Sequence, residues 1–316
     1  MHESSNTLLA KWVFICTFLL LSASATANNN VEEITWLQSD TAPFHLNKTS
    51  KAPNGGLCDY LIEQLIEQLP NIKHTRLLVP QKRIGKYLDE GKMACFPCMI
   101  HRTKSTDRVV YSIPTTVYPP FSIITTPAKA ETISLQHGDP VQLIKLLTDS
   151  NFIFGQTAAR KFTTEINEIA RNTKSYDHAS LSWSSENESS AVIARLNHGY
   201  IDYTIDYPFL ADYYNRFSEL SNVVALPIAN QSNLVLGAIG CSTHAPNNFA
   251  NNALRQINQV LQQNILPSAQ YQASQRQWLE ATFPDFIMQY QKQVLNVNPQ
   301  ATSAPAVVEN PDKAEH

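Results

Sequence analysis

Between Ile34 and Phe96 the sequence alternates short β-prone runs with amphipathic helical ones, and this alternation restricts the chain to an α/β fold. Ile34 to Leu37 is β-branched and aromatic. Cys58 to Leu69 places Leu61, Ile62, Leu65, Ile66 and Leu69 on one helix face, and Pro70 stops it. His74 to Val79 reads as a second strand, Arg83 to Glu90 as a second helix closed by Gly91, and Met93 opens a third strand. A β-α-β-α-β series implies parallel strands joined by right-handed crossovers. The loops at the strand C-termini then face one crevice, where open α/β sheets bind ligands. Asp40, Phe44, Arg83, Arg108 and Tyr118 are expected there, with Arg83 a candidate for a plain surface charge.

After the third strand a polar loop runs to Arg108. Tyr111-Ser112-Ile113-Pro114 and a β-branched run from Phe121 to Thr126 follow, and Pro114, Pro119 and Pro120 bar a helix between them. An Arg ending such a loop either fixes an anion at the mouth of the sheet or is an ordinary surface residue. Pro127 to Asp139 reads as a connection into a second unit. There, Val141 to Leu147 has helical spacing, and Asn151 to Gly155 reads as a strand. Gln156 to Arg160 leads into a helix from Lys161 to Arg171, and amides at such a helix start can hold an anion beside Thr157 and Arg160. Ser189 to Asn197 is a further helix, and Tyr200 to Asp206 a strand. Val223 to Ile228 and Leu234 to Ile239 carry the chain back. Helices are expected over 251–261, 271–279 and 283–295. Beyond Asn296 the sequence has no periodicity and reads as a disordered tail.

Residues 1 to 27 read as a secretory signal: Lys11, an apolar run from Trp12 to Leu21, and Ala25-x-Ala27 before a cut. The mature protein is therefore expected to be exported to the periplasm. A net charge of -3 gives no sign of nucleic-acid binding. Only 9 glycines, with no GxGxxG or P-loop, argue against a nucleotide site. The mature chain keeps Cys58, Cys95, Cys98 and Cys241, an even set that in an exported protein favours disulfides. Cys95-Phe96-Pro97-Cys98 also fits redox spacing, but no thioredoxin-like pattern surrounds it and no second CxxC offers a zinc site. No cofactor or resident metal is expected.

Two stretches carry a resemblance. The first is the helix, the Gly91-x-x strand, the loop with Thr and Arg that ends at Arg108, and Tyr111-Ser112-x-Pro114. The second is Leu196-x-x-Gly199-x-x-Asp202-Tyr203-x-x-Asp206. Together, over roughly residues 32 to 290, the chain resembles the family 3 extracellular solute-binding proteins, periplasmic binding proteins for amino acids and similar small polar ligands. The resemblance implies a two-lobe type II fold, each lobe a mostly parallel sheet flanked by helices. Lobe 1 would comprise 28–126 and 230–295, lobe 2 would comprise 127–229, and a tail would cover 296–316. Ligand would bind between the lobes without catalysis. By the same resemblance Arg108 holds a ligand carboxylate, Asp206 its ammonium group, and Phe44 a stacking contact. Thr157 and Arg160 assist at the helix turn, and Asp202 caps or turns locally. The fold's strand order implies Cys95–Cys241 and Cys58–Cys98 bridges, with Cys95–Cys98 as runner-up. A monomer is expected, delivering ligand to an ABC-transporter permease or, alternatively, to a membrane sensor. A thiol-redox or Asp202/Asp206 enzyme is the remaining alternative.

Overall fold

The structure, a computed structural model, describes residues 31–157, 160–172, 180–183, 188–218 and 221–296. The expected signal segment and nearly all of the expected tail lie outside the described residues.

Strands β1 (Glu33–Ser39), β2 (Lys73–Val79) and β3 (Ala94–Ile100) pair in parallel, as the alternation predicts. Helix α1 (Asp59–Gln68) buries Leu61, Ile62 and Leu65, the face set by their spacing. Helix α2 (Gln81–Asp89) starts directly after Pro80 and buries Ile84 and Leu88. The late strand β11 (Val235–Ser242) returns antiparallel beside β3, and β4 (Val109–Tyr111) and β5 (Thr116–Tyr118) pair antiparallel to it. Trp36, Leu37 and Ala94, each without solvent exposure, lie at the centre of this first sheet.

The second sheet runs β10 (Val224–Pro227), β6 (Ser122–Thr125), β9 (Tyr203–Asp206), β7 (Phe154–Thr157), β8 (Ser180–Trp183). Its β6 takes Ser122 to Thr125 from the β-branched run Phe121 to Thr126. Both sheets are mixed: β6 and β10 in the second sheet, like β11 in the first, run against their neighbours. Gly155 sits inside β7 because Ile201 packs on it; a Cβ there would meet Ile201 at 2.6 Å.

Where a connection was expected, helix α3 (Pro127–His137) forms. Pro127 stands at the first helical positions, where a missing N–H costs nothing. Its buried face is only Ala130, Ile133 and His137, too thin a stripe to stand out in sequence. The helix Pro208–Phe217, likewise proline-started, had no counterpart in the sequence reading. Near the C-terminus the helix Ala269–Leu279 packs on the first lobe through Gln275, which donates to the Leu57 carbonyl at 2.8 Å. Its Trp278 reaches the other way, to Tyr213 and Phe217 of the second lobe, at 5.9 and 5.8 Å between ring centroids.

Disulfides join Cys95 to Cys241, directly opposite each other on β3 and β11, and Cys58 to Cys98, from the start of α1 to β3. These are the pairs the fold resemblance implied. Cys95 and Cys98 do not bond to each other.

Candidate functional site

Arg108 does not reach the crevice. Strand β3 ends at the crevice edge, and the 101–108 loop carries the chain back to the opposite edge, where β4 starts. Ser242 near the end of β11 pairs there with Val109, while Cys241 pairs with Cys95. Half-exposed, Arg108 closes a fork on Asp89 at the end of α2, with Nε to Oδ1 at 2.6 Å and Nη2 to Oδ2 at 2.7 Å. The structure thus does not bring Arg108 to the rings of the crevice, where a ligand-carboxylate role would need it. Arg83 is exposed, as its surface reading had it.

The crevice itself is filled by rings from both sheets. Phe44, from the loop after β1, and Tyr118, from β5, meet Tyr207 and Phe209, which follow β9. Phe44 approaches Tyr118 at 5.9 Å and Phe209 at 5.7 Å, and Tyr118 approaches Tyr207 at 5.2 Å. Tyr207 stacks on Phe121 at 4.3 Å and on Phe209 at 5.0 Å. All five rings are buried. Offset and edge contacts of this kind add about 0.5–1.5 kcal/mol per pair beyond area burial. Burial holds the Tyr118 and Tyr207 phenols above their ordinary values.

Charged groups border these rings. The Arg160 guanidinium lies 5.1 Å from the Phe121 centroid and 5.2 Å from that of Tyr207, and its Nη2 donates to Asp206 Oδ1 at 2.5 Å. The same oxygen accepts the Tyr207 amide at 2.7 Å. Burial raises the Asp206 carboxyl, against the pull of Arg160 and that amide. Asp206 is thus engaged with Arg160, not standing alone for an ammonium group. The Arg160 Nε is buried and has no hydrogen-bond partner among the described residues. Glu188, the first residue of the helix Glu188–Asn197, is 1% exposed, and neither of its carboxylate oxygens has a well-formed hydrogen bond among the described residues. Burial raises its carboxyl, the Thr157 side chain lowers it, the Asp40 charge raises it and that of Lys82 lowers it. So Asp40 and Lys82 of the first lobe and Thr157 and Glu188 of the second share one neighbourhood. Sequence reasoning placed Asp40, Phe44, Tyr118, Thr157 and Arg160 in this region and missed Glu188 and Phe209. Pro208 starting a helix straight after Tyr207 is the signal that pointed to Phe209.

The loop that carries Asp40 and Phe44 is held from below by Asp59. Its Oδ1 accepts Gln38 Nε2 and His45 Nδ1, both at 2.8 Å, and its Oδ2 accepts the Leu46 and Gly56 amides, both at 2.7 Å. Burial pushes the Asp59 carboxyl up, but the bonds and charge from His45 and the two amides carry it below its ordinary value. Gly56 is required by close approach: a Cβ would stand 2.5 Å from the Pro43 and Phe44 carbonyl oxygens. Thr41 Oγ1 donates to Gln81 Oε1 at 2.5 Å and ties the loop to α2.

Asp202 corrects the local-cap expectation. Its Oδ2 accepts the Ile153 amide at 2.7 Å and its Oδ1 pairs with Lys129 at 2.7 Å, so it joins β9, β7 and α3. It precedes β9 while Asp206 ends it, about 13 Å away along a strand, which rules out a carboxylate dyad.

An ancestral arginine-binding protein solved with arginine is 16% identical to this chain, over 78% of it and 96% of that protein, at a TM-score of 0.57. A putative L-cystine ABC transporter protein from Listeria monocytogenes is 14% identical over 79% and 97%, at 0.58. A histidine kinase sensor domain with similarity to periplasmic binding proteins is 14% identical over 78% and 96%, at 0.57. No protein-family model matches the chain, and no curated protein does. The chain has the two-lobe fold of periplasmic binding proteins. At these identities the likeness is one of fold.

Proposed function

We propose that the protein is a non-catalytic solute-binding protein, exported to the periplasm, that captures a small zwitterion, an amino acid or a close relative, between its lobes. The supporting observation is a pair of opposite, incompletely matched charges beside one aromatic cluster: the Arg160 Nε donor and the Glu188 carboxylate. Arg160, held by Asp206, would take a carboxylate. Glu188 with Asp40 would take an ammonium group, and Phe44, Tyr118 and Tyr207 the apolar part. The segments 119–121 and 228–234, which cross between the sheets, would act as hinges. A buried, incompletely matched carboxylate makes the closed form costly without ligand and favours it with one.

The protein's first role is delivery of the ligand to a membrane permease for transport. The likeness to a histidine kinase sensor domain supports signalling as the second. The test is a thermal-shift screen of the mature protein against amino acids, simple amines and simple organic acids. A true ligand at 100 times its Kd should add about 2.7 kcal/mol. Arg160→Ala should weaken zwitterion binding more than tenfold, since leaving a buried charge unpaired costs about 2–5 kcal/mol. Shifts from none of the zwitterions would overturn the proposal.

A further inference from the structure

We propose that Cys58, Cys98 and His45, once the Cys58–Cys98 bond is reduced, form a three-ligand site for a thiophilic cation such as Zn2+. The donor atoms of these residues all lie within 4.8 Å of one another. His45 Nε2 faces Cys98 Sγ at 3.6 Å. Nitrogen and sulfur ligands at about 2.1 and about 2.3 Å from a tetrahedral zinc stand about 3.6 Å apart, so this edge of the site already has its spacing. The imidazole is also oriented for the task. Asp59 Oδ1 can only accept, so His45 Nδ1 carries the hydrogen between them and Nε2 is left to ligate. A carboxylate behind a ligating imidazole fixes its tautomer and raises its basicity. Cys98 is partly exposed and gives an approach from solvent, whereas Cys95 and Cys241 of the other bridge are fully buried.

The steps balance with a dithiol as reductant. Its two thiols give two electrons and two protons, their sulfurs join, and Cys58 and Cys98 become thiols. The cation then binds both as thiolates, two protons leave to solvent, and the Nε2 lone pair fills a third position. A water can take the fourth. His45 follows Phe44 directly, so loading the site acts on the loop that lines the crevice. The site stands independently of the proposed solute.

The experiment uses the mature protein, reduced with a dithiol that is then removed without oxygen. Zn2+ is titrated calorimetrically, and Co2+ is titrated by its thiolate-to-metal absorption. Reduced protein should bind one equivalent and oxidised protein none. Alkylation with mass spectrometry should find Cys58 and Cys98 reactive without Zn2+ and protected with it. Asp59→Asn should weaken binding about 10- to 100-fold, and His45→Gln at least tenfold, with circular dichroism checking the fold of each. A His45→Gln protein that folds and binds like wild type would overturn the site. So would reduced wild type that binds nothing, or protection confined to Cys95 and Cys241.

Discussion

The two lobes build their walls of the crevice by opposite means. The first lobe's loop is tied at several points: Asp59 accepts at both oxygens, Cys58 is bonded to Cys98, and Thr41 is tied to Gln81. Among the described residues, the second lobe's wall leaves the Arg160 Nε and the Glu188 carboxylate incompletely matched. A wall tied in this way presents rings in fixed positions at the cost of adaptability. An incompletely matched one stores its capacity for hydrogen bonds until something polar arrives. Stability should therefore concentrate in the first wall and recognition in the second.

The sharpest way to break this contrast is Asp59→Ala. It leaves the Gln38, His45, Leu46 and Gly56 donors without their acceptor, and unfolding stability should fall by at least about 3 kcal/mol. Chemical denaturation measures it, and a loss under about 1 kcal/mol would show the loop is not held as described. The acid limb gives the sign. Asp59 has a depressed folded value, so its contribution is full above the ordinary 3.8 and disappears as pH falls through the folded value. Asp59→Asn should flatten the decline of the melting temperature below that pH.

Glu188→Gln probes the other wall and should act in the opposite direction. Burial raises the Glu188 carboxyl, so at neutral pH its charge opposes the closed form. The amide should gain about 1–3 kcal/mol in thermal melts near pH 7, the cost of a buried unsatisfied group. That gain should vanish as pH drops below the ordinary 4.5, where the carboxyl is neutral in both folded and unfolded states. A gain that persists in acid would mean packing, not charge, is responsible.

Arg108→Ala should do least. An ion pair this open to solvent is worth about 0–1 kcal/mol, and ligand affinity should be unchanged in calorimetry. A tenfold loss of affinity would place Arg108 back at the crevice.

The contrast also tracks what the sequence disclosed. The first lobe's elements were legible because each strand and helix shows its own period, as Leu61, Ile62 and Leu65 do. The ring of Phe44 was legible because it follows β1, whose end faces the crevice, whereas Tyr118 ends the short β5, which the sequence did not show as a strand. Arg108 was misplaced because the direction in which its loop crosses the sheet edge is set by pairing with β11, more than 120 residues later. Glu188 was invisible for a similar reason: it opens an ordinary helix, and only its burial in the folded chain, with the Asp40 charge adding to it, makes its charge unusual. Helix α3 escaped because a buried face of Ala130, Ile133 and His137 leaves little hydrophobic signal.

Trp278 has an optical consequence. Its indole is anchored on a helix of the first lobe and walled by Tyr213 and Phe217 of the second, at 1% exposure. Any separation of the lobes wets that ring, shifting its emission to longer wavelength, whereas Trp36, sealed against His74 inside the first sheet, would keep its colour. The protein thus carries an unlabelled gauge of its own opening, with an internal reference, readable in a stopped-flow fluorimeter.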